Sequence, residues 1–246
     1  MTTLLLATLF LPLFPSSMVF NWISTRLNFP YARSLLILIW PQIGILIIGQ
    51  SAQQVLPGFI VWAFASALFY ALRLLTVREL GLWASFIASS GLALTWTIAG
   101  TASIPDMQLF AFWFSLPAAL LALLAAPLAK RFGAAFAGLS GDLTSCVPRL
   151  SAILAITILA AIATPPSPGF FSLLGLVNKL DWAIAAGILL IWLLWGWAAT
   201  KLIQGFLTGE DNKQGATDIS RTAVVLYACL MCIFIFSGFI FNGGML

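Results

Sequence analysis

VPRLSAILAITILAAIATPPSPGFFSLLGLVNKL, residues 147–180, decides the fold, because its long apolar run is cut by Thr164-Pro165-Pro166-Ser167-Pro168-Gly169. Three prolines and a glycine within six residues cannot continue a helix. Either the break is an aqueous loop between two membrane helices, or it interrupts one helix inside the membrane. The basic residues decide between these. If 147–180 crosses once, Arg26, Arg33, Arg73, Arg78, Lys130, Arg131, Arg149, Lys201, Lys213 and Arg221 share one side, and Lys179 alone takes the other. If it crosses twice, Lys179 joins the first side while Lys201, Lys213 and Arg221 leave it. The positive-inside rule favours the more lopsided split. The piece after the break is also too short to span a ~30 Å hydrocarbon core alone. The stretch reads as one discontinuous crossing.

Outward from it, apolar runs recur at 3–20, 32–49, 56–75, 80–100, 107–129, 182–203 and 223–241. The chain is 62% hydrophobic and 7% charged, with a mean hydropathy of +1.08. A soluble domain is about a quarter charged, so this chain must use lipid as its solvent. The expected fold is an all-α integral membrane protein, a single transmembrane helical domain over 1–246. It would make about eight crossings, one of them Pro-broken, with both termini on the non-cytoplasmic face. The opening MTTLLLATLFLPLF imitates a signal peptide but lacks a positive n-region, and reads as a retained helix containing Pro12 and Pro15. The one polar stretch of note, 208–221, reads as a solvated loop holding Glu210 and Asp211. The 10 Trp and 20 Phe suit lipid-facing and interfacial positions.

Charge and cysteine usage exclude several classes. The net charge of +4 lies in short loops beside helix ends, so it reads as orientation bias and not as a nucleic-acid stripe. Cys146 reads as a loop residue, and Cys229 and Cys232, in a chain without His, read as small apolar fillers; no metal or cofactor is expected. None of the 11 basic and 7 acidic residues falls near the centre of a proposed crossing. Buried ionisable groups mark proton relays when present, so a titrating path through this chain alone is not expected. The hydroxyls of Ser66, Ser89, Ser90, Ser115 and Thr157 could line water, although such groups more often bond a carbonyl one turn back. Lys179 and Asp181 read as an interfacial pair, and Lys201 as a snorkelling cation. A break within the bilayer needs its freed backbone groups satisfied by protein or a wet cavity. Transporters use such breaks to build ion sites; a kink filled by a neighbouring helix is the other reading.

The order of these features resembles the proton-conducting, antiporter-like subunits of respiratory complex I, membrane-bound hydrogenases and Mrp-type antiporters. The membrane subunit of DAB-type inorganic-carbon transporters belongs to the same superfamily. Asp142-Leu143 through Pro148, followed by the run into Thr164–Ser172 (TPPSPGFFS), is similar to that family's broken helix with its G-L-P-P-x-x-G-F-x-S-K signature. GILLIWLLWGWAATKLIQGFLTGE (187–210) resembles the helix that follows it, and TVRELGLWASFIASSGLALTWTIAG (76–100) resembles the D-L-K-R-L-L-A-Y-S-S-I-S-Q-x-G segment. PSSMVFNWISTRLNFPYARSLL (15–36) is a fainter likeness near the N-terminus. The resemblance implies two inverted repeats in full members, with most of the first repeat absent here.

The departures from the family pattern carry the functional expectation. Family lysines would fall near Leu13 and Gln42, the motif His near Phe20, and the Lys or Glu after the second break at Leu173. The H-A-x-x-K motif would fall on 108–121, which has neither His nor Lys. The resemblance therefore implies a degenerate, non-conducting accessory subunit of an energy-coupled membrane complex, scaffolding or docking partner subunits in either a DAB-type inorganic-carbon transporter or a complex I- or hydrogenase-like proton-translocating machine. Its partners would be membrane lipids and other subunits, a full-length antiporter-like relative or a catalytic subunit, in a bacterial inner membrane. The broken-helix residues are Pro165, Pro166, Pro168 and Gly169; the lost proton-path positions are Leu13, Gln42 and Leu173. A stand-alone transporter or channel for a neutral solute, using broken-helix carbonyls, is the competing class. An enzyme fits least, since paired acid–base or nucleophilic groups are missing.

Overall fold

The computed structural model describes residues 2–27, 29–50, 56–138, 143–207 and 217–242, and the described residues are helical apart from short connections. The helices are α1 (Thr2–Phe10), α2 (Ser17–Arg26), α3 (Pro30–Gln50), α4 (Pro57–Leu74), α5 (Leu80–Ala93), α6 (Ile104–Phe132), α7 (Leu143–Cys146), α8 (Pro148–Ala161), α9 (Pro168–Lys179), α10 (Trp182–Leu207) and α11 (Arg221–Asn242). A single 3-10 turn, Leu94–Thr97, extends α5. Among the described residues, five helices are long and apolar enough to cross a membrane: α3, α4, α6, α10 and α11. The chain is a multi-pass membrane protein.

Local chemistry sets the helix ends. Pro57, Pro148 and Pro168 each open a helix, at a position whose N–H would have no partner. Glu79 caps α5, its carboxylate accepting from the amides of Gly81 and Leu82 at 3.1 and 2.9 Å. α6 stops at Gly133, whose φ of +80° is the left-handed conformation that ends helices most cheaply at glycine. The N-terminus of α8 is capped from a distance: the Asp218 carboxylate accepts from the amides of Arg149 and Leu150 at 2.9 and 3.2 Å. Cys146, expected in a loop, ends the short α7.

The connections fix the direction of each helix. At one end of the bundle, Arg33 of α3 lies 3.9 Å from Glu79 at the head of α5. There too the Leu80 amide donates to Ala135 O and the Gly138 amide to Gly205 O, at 2.9 and 2.6 Å. Arg131 at the end of α6 donates to Thr217 O, and Arg149 at the start of α8 donates to Ile219 O. The ends of α6 and α10 and the starts of α8 and α11 therefore meet on one face. α8 leaves that face and α10 returns to it, so α8 and α9 together make one outward pass. Lys179, at the far end of α9, sits opposite the other described basic residues. Its expected partner Asp181 does not reach it; among the described residues the ion pair is Arg33–Glu79. Lys201 does turn onto an aromatic ring, its Nζ 5.3 Å from the centre of Trp197. Asp142, Glu210, Asp211 and Lys213 lie outside the described residues.

Candidate functional site

Two breaks interrupt the bundle. The segment 3–20, expected as one helix, divides: α1 ends at Phe10, and α2 begins at Ser17 and runs on to Arg26. Pro12 and Pro15 account for this, since each lacks an N–H and disfavours helical geometry in the residue before it. The second break lies where it was expected, between Ala161 and Pro168. Ala163 there takes a φ of +55°, a left-handed turn uncommon for a residue with a Cβ. The Phe14–Pro15 and Pro165–Pro166 peptide bonds are cis.

Both breaks free carbonyls, and tryptophan indoles occupy them. At the first, Trp40 donates to Leu9 O at 2.9 Å, Trp96 to Leu11 O at 3.2 Å, and Trp62 to Phe14 O. Ser66 accepts the Phe14 amide at 2.9 Å while bonding Trp62 O one turn back. Ser16 turns its hydroxyl onto Leu13 O and Thr8 O, at 2.6 and 2.8 Å. At the second break, Trp192 donates to Ile162 O at 2.9 Å, and Thr164 Oγ1 to Leu159 O at 2.8 Å. An indole N–H is a donor only and does not titrate. It closes a freed carbonyl without offering a proton anywhere to sit.

The tryptophans divide between the two environments. Trp22, Trp182 and Trp197 are exposed, as suits lipid-facing and interfacial positions, whereas Trp83, Trp96, Trp113 and Trp195 are buried. Trp96 stacks on Phe59, ring centres 5.1 Å apart, and Trp195 donates to Ser90 Oγ at 2.9 Å. The indoles that donate reach targets 30 to 105 residues away in sequence, beyond any local pattern.

The lost proton-path positions are filled by apolar or neutral groups. Leu13 and Leu173 are both 0% exposed, within the main core, as is Phe20. Gln42 is half-buried, its amide donating to Gln108 O at 3.3 Å. Nearby runs a buried neutral network joining α2, α4 and α5. Ser17 Oγ meets Tyr70 OH at 2.6 Å, and Asn21 Nδ2 donates to the same phenol at 3.2 Å. Ser89 donates to Asn21 Oδ1 at 3.2 Å, and Ser24 meets Ser85 at 2.6 Å. Of the hydroxyls singled out in the sequence, Ser66, Ser89, Ser115 and Thr157 bond a carbonyl four residues back, whereas Ser90 reaches across to Ala67 O. Thr157 also meets Tyr227 OH, tying α8 to α11.

Comparison with known proteins returns a shared fold. No family model matches the sequence, and no curated protein matches it either. Among solved structures, the chain is similar to one from respiratory complex I of Thermus thermophilus with bound NADH, at a TM-score of 0.78 and 21% identity. The match covers 96% of this chain and 54% of that one, so the chain spans about half its length. The fold agrees with the antiporter-like resemblance carried by the broken-helix motif.

Proposed function

We propose that the chain is a non-conducting accessory subunit of a respiratory-type, proton-translocating membrane complex. It would cross a bacterial inner membrane eight times, two of the crossings broken, with its basic ends in the cytoplasm. The observation that carries this reading is the neutral closure of the first break: the Leu9, Leu11 and Phe14 carbonyls meet indoles, and Leu13 O meets the Ser16 hydroxyl and the Ser17 amide. A conducting break needs a titratable side chain or ordered water beside it. Leu13 and Leu173 stand at two of the positions where the family resemblance would put such a side chain. The fold likeness to a complex I chain supports the respiratory-type home. Scaffolding, not catalysis, follows from a kept fold without a charge line.

Two measurements test this. The tagged chain, extracted from its native membranes in mild detergent, should co-purify with a full-length antiporter-like relative or a redox subunit. The chain reconstituted alone in liposomes should pass no protons under an imposed pH gradient. A proton flux from the chain alone that disappears on changing one of its own side chains would overturn the proposal. Isolation from native membranes as a monomer would do the same.

A further inference from the structure

The two breaks differ in how far the chain itself covers them. Leu11, Pro12 and Leu13 are buried within the chain, and the Leu11 and Leu13 carbonyls meet donors there. At the second break Pro165 and Pro166 are exposed, and neither carbonyl accepts a hydrogen bond from any described residue. Depth makes this matter. Ile162, three residues earlier, is bonded by Trp192. At ~1.5 Å per residue, Trp192 lies about 15 Å from the Trp182 end of α10 and about 14 Å from Lys201. The proline elbow therefore sits near mid-membrane, with both prolines exposed and no described donor at either carbonyl.

Its surroundings are apolar. Leu159 is exposed at the end of α8. Gly238 of α11 packs so tightly on Pro168 that a Cβ there would fall 2.8 Å from the ring, which brings the exposed Phe239 beside the elbow. Phe239 also meets Phe171, ring centres 5.1 Å apart. Lipid tails cannot donate to a carbonyl, and irregular backbone at this depth persists only where protein or a wet cavity covers it. An apolar rim around two bare acceptors fits an apolar helix with one donor better than it fits water.

We propose that the Pro165–Pro166 elbow seats a transmembrane helix of a partner subunit, presenting a donor side chain (Ser, Thr, Asn, Gln, Trp or Lys) at its midpoint. A carboxylate would be repelled by the same carbonyls. This rests on the accessory-subunit reading and adds where such a subunit docks.

The test uses the complex assembled in native membranes. p-Benzoylphenylalanine is placed at Leu159 or Phe239, flanking the elbow, and at Leu193, exposed on α10, as control. Cross-links from the two flanking sites should converge on one helix of one co-purifying subunit, within a turn of a donor residue, and exceed the Leu193 yield at least fivefold. Changing that partner donor to Leu should lower the yield severalfold. With the complex intact, cross-links to lipid only, to scattered proteins, or to a helix without a donor overturn the docking site and leave the accessory role standing. So does labelling of Leu159→Cys by a membrane-impermeant thiol reagent, in a background with Cys146, Cys229 and Cys232 changed to Ser. If nothing co-purifies, both readings fall.

Discussion

Trp192→Phe isolates the contribution of an indole to a broken helix. Phenylalanine keeps an aromatic ring facing Phe170, whose ring centre lies 5.6 Å from that of Trp192, and deletes the N–H that reaches Ile162 O at 2.9 Å. The carbonyl cannot recover a helical partner, because the residue three positions on is Pro165 and the residue four on is Pro166. An unsatisfied buried acceptor costs about 1–3 kcal/mol in proteins generally. Interhelical hydrogen bonds in a membrane protein average ~0.6 kcal/mol with a maximum near 1.7. Since Trp192 is half-buried, a loss of about 1–2 kcal/mol is expected. The matched control is Trp197→Phe, 57% exposed on the same helix, which should cost no more than ~0.5 kcal/mol. Reversible unfolding in bicelles gives both numbers. Hydrogen exchange adds a local readout, because the Ser167 and Phe170 amides that fold the break onto Thr164 O and Ser167 O should open faster in Trp192→Phe alone. Equal stability of the two variants, with unchanged exchange at Ser167 and Phe170, would refute the role given to the indole.

Tyr70→Phe removes the phenol that serves both Ser17 and Asn21, and should cost about 1–2 kcal/mol. Combined with Asn21→Leu it should fall short of additivity, which a double-mutant cycle in the same unfolding assay reads directly. Gly44→Ala should lower stability by about 1–3 kcal/mol and lengthen the first break's contacts, because its Cβ would lie 2.8 Å from Phe10 Cβ and 3.0 Å from Leu11 N. Leu173→Lys restores a cation at a position 0% exposed. It should cost at least ~2.5–3.5 kcal/mol, read from a thermal melt in detergent, and still give no proton flux in liposomes.

How far the sequence could be read follows from the range of each interaction. The apolar runs, the second break and the placement of Arg26, Arg73, Lys130, Arg149 and Arg221 at helix ends were legible, because hydropathy, proline chemistry and interfacial charge act on adjacent residues. The first break was half legible. Pro12 and Pro15 stood in view, yet the reading kept one helix, since the apolar run continues through them and α2 extends past it to Arg26. The closure of the breaks was not legible. Trp40, Trp62, Trp96 and Trp192 carry the same letters whether they face lipid or a carbonyl, and only helix packing selects which. Asp218 was hidden for the same reason: in a polar stretch it looks solvated, and its role appears once α8 begins beside it. Lys179 and Asp181 erred in the opposite direction, neighbours in sequence that are both exposed and form no ion pair.

A chain that has no charge line still keeps two breaks, and the cost of a break argues that they are retained for a reason other than conduction. An unbroken apolar helix would satisfy its own backbone and be more stable. Here the first break recruits three indoles and two serines, with Leu11, Pro12 and Leu13 buried within the chain. In place it joins α1 and α2 to α3, α4 and the turn after α5, so it acts as an internal tie. The second recruits one indole and the Thr164 hydroxyl, and leaves Pro165 and Pro166 exposed with no described donor at either carbonyl. A site of that kind is stable in lipid only when something covers it. On the docking proposal, the difference between the breaks separates what the chain needs in order to fold from what it needs in order to assemble.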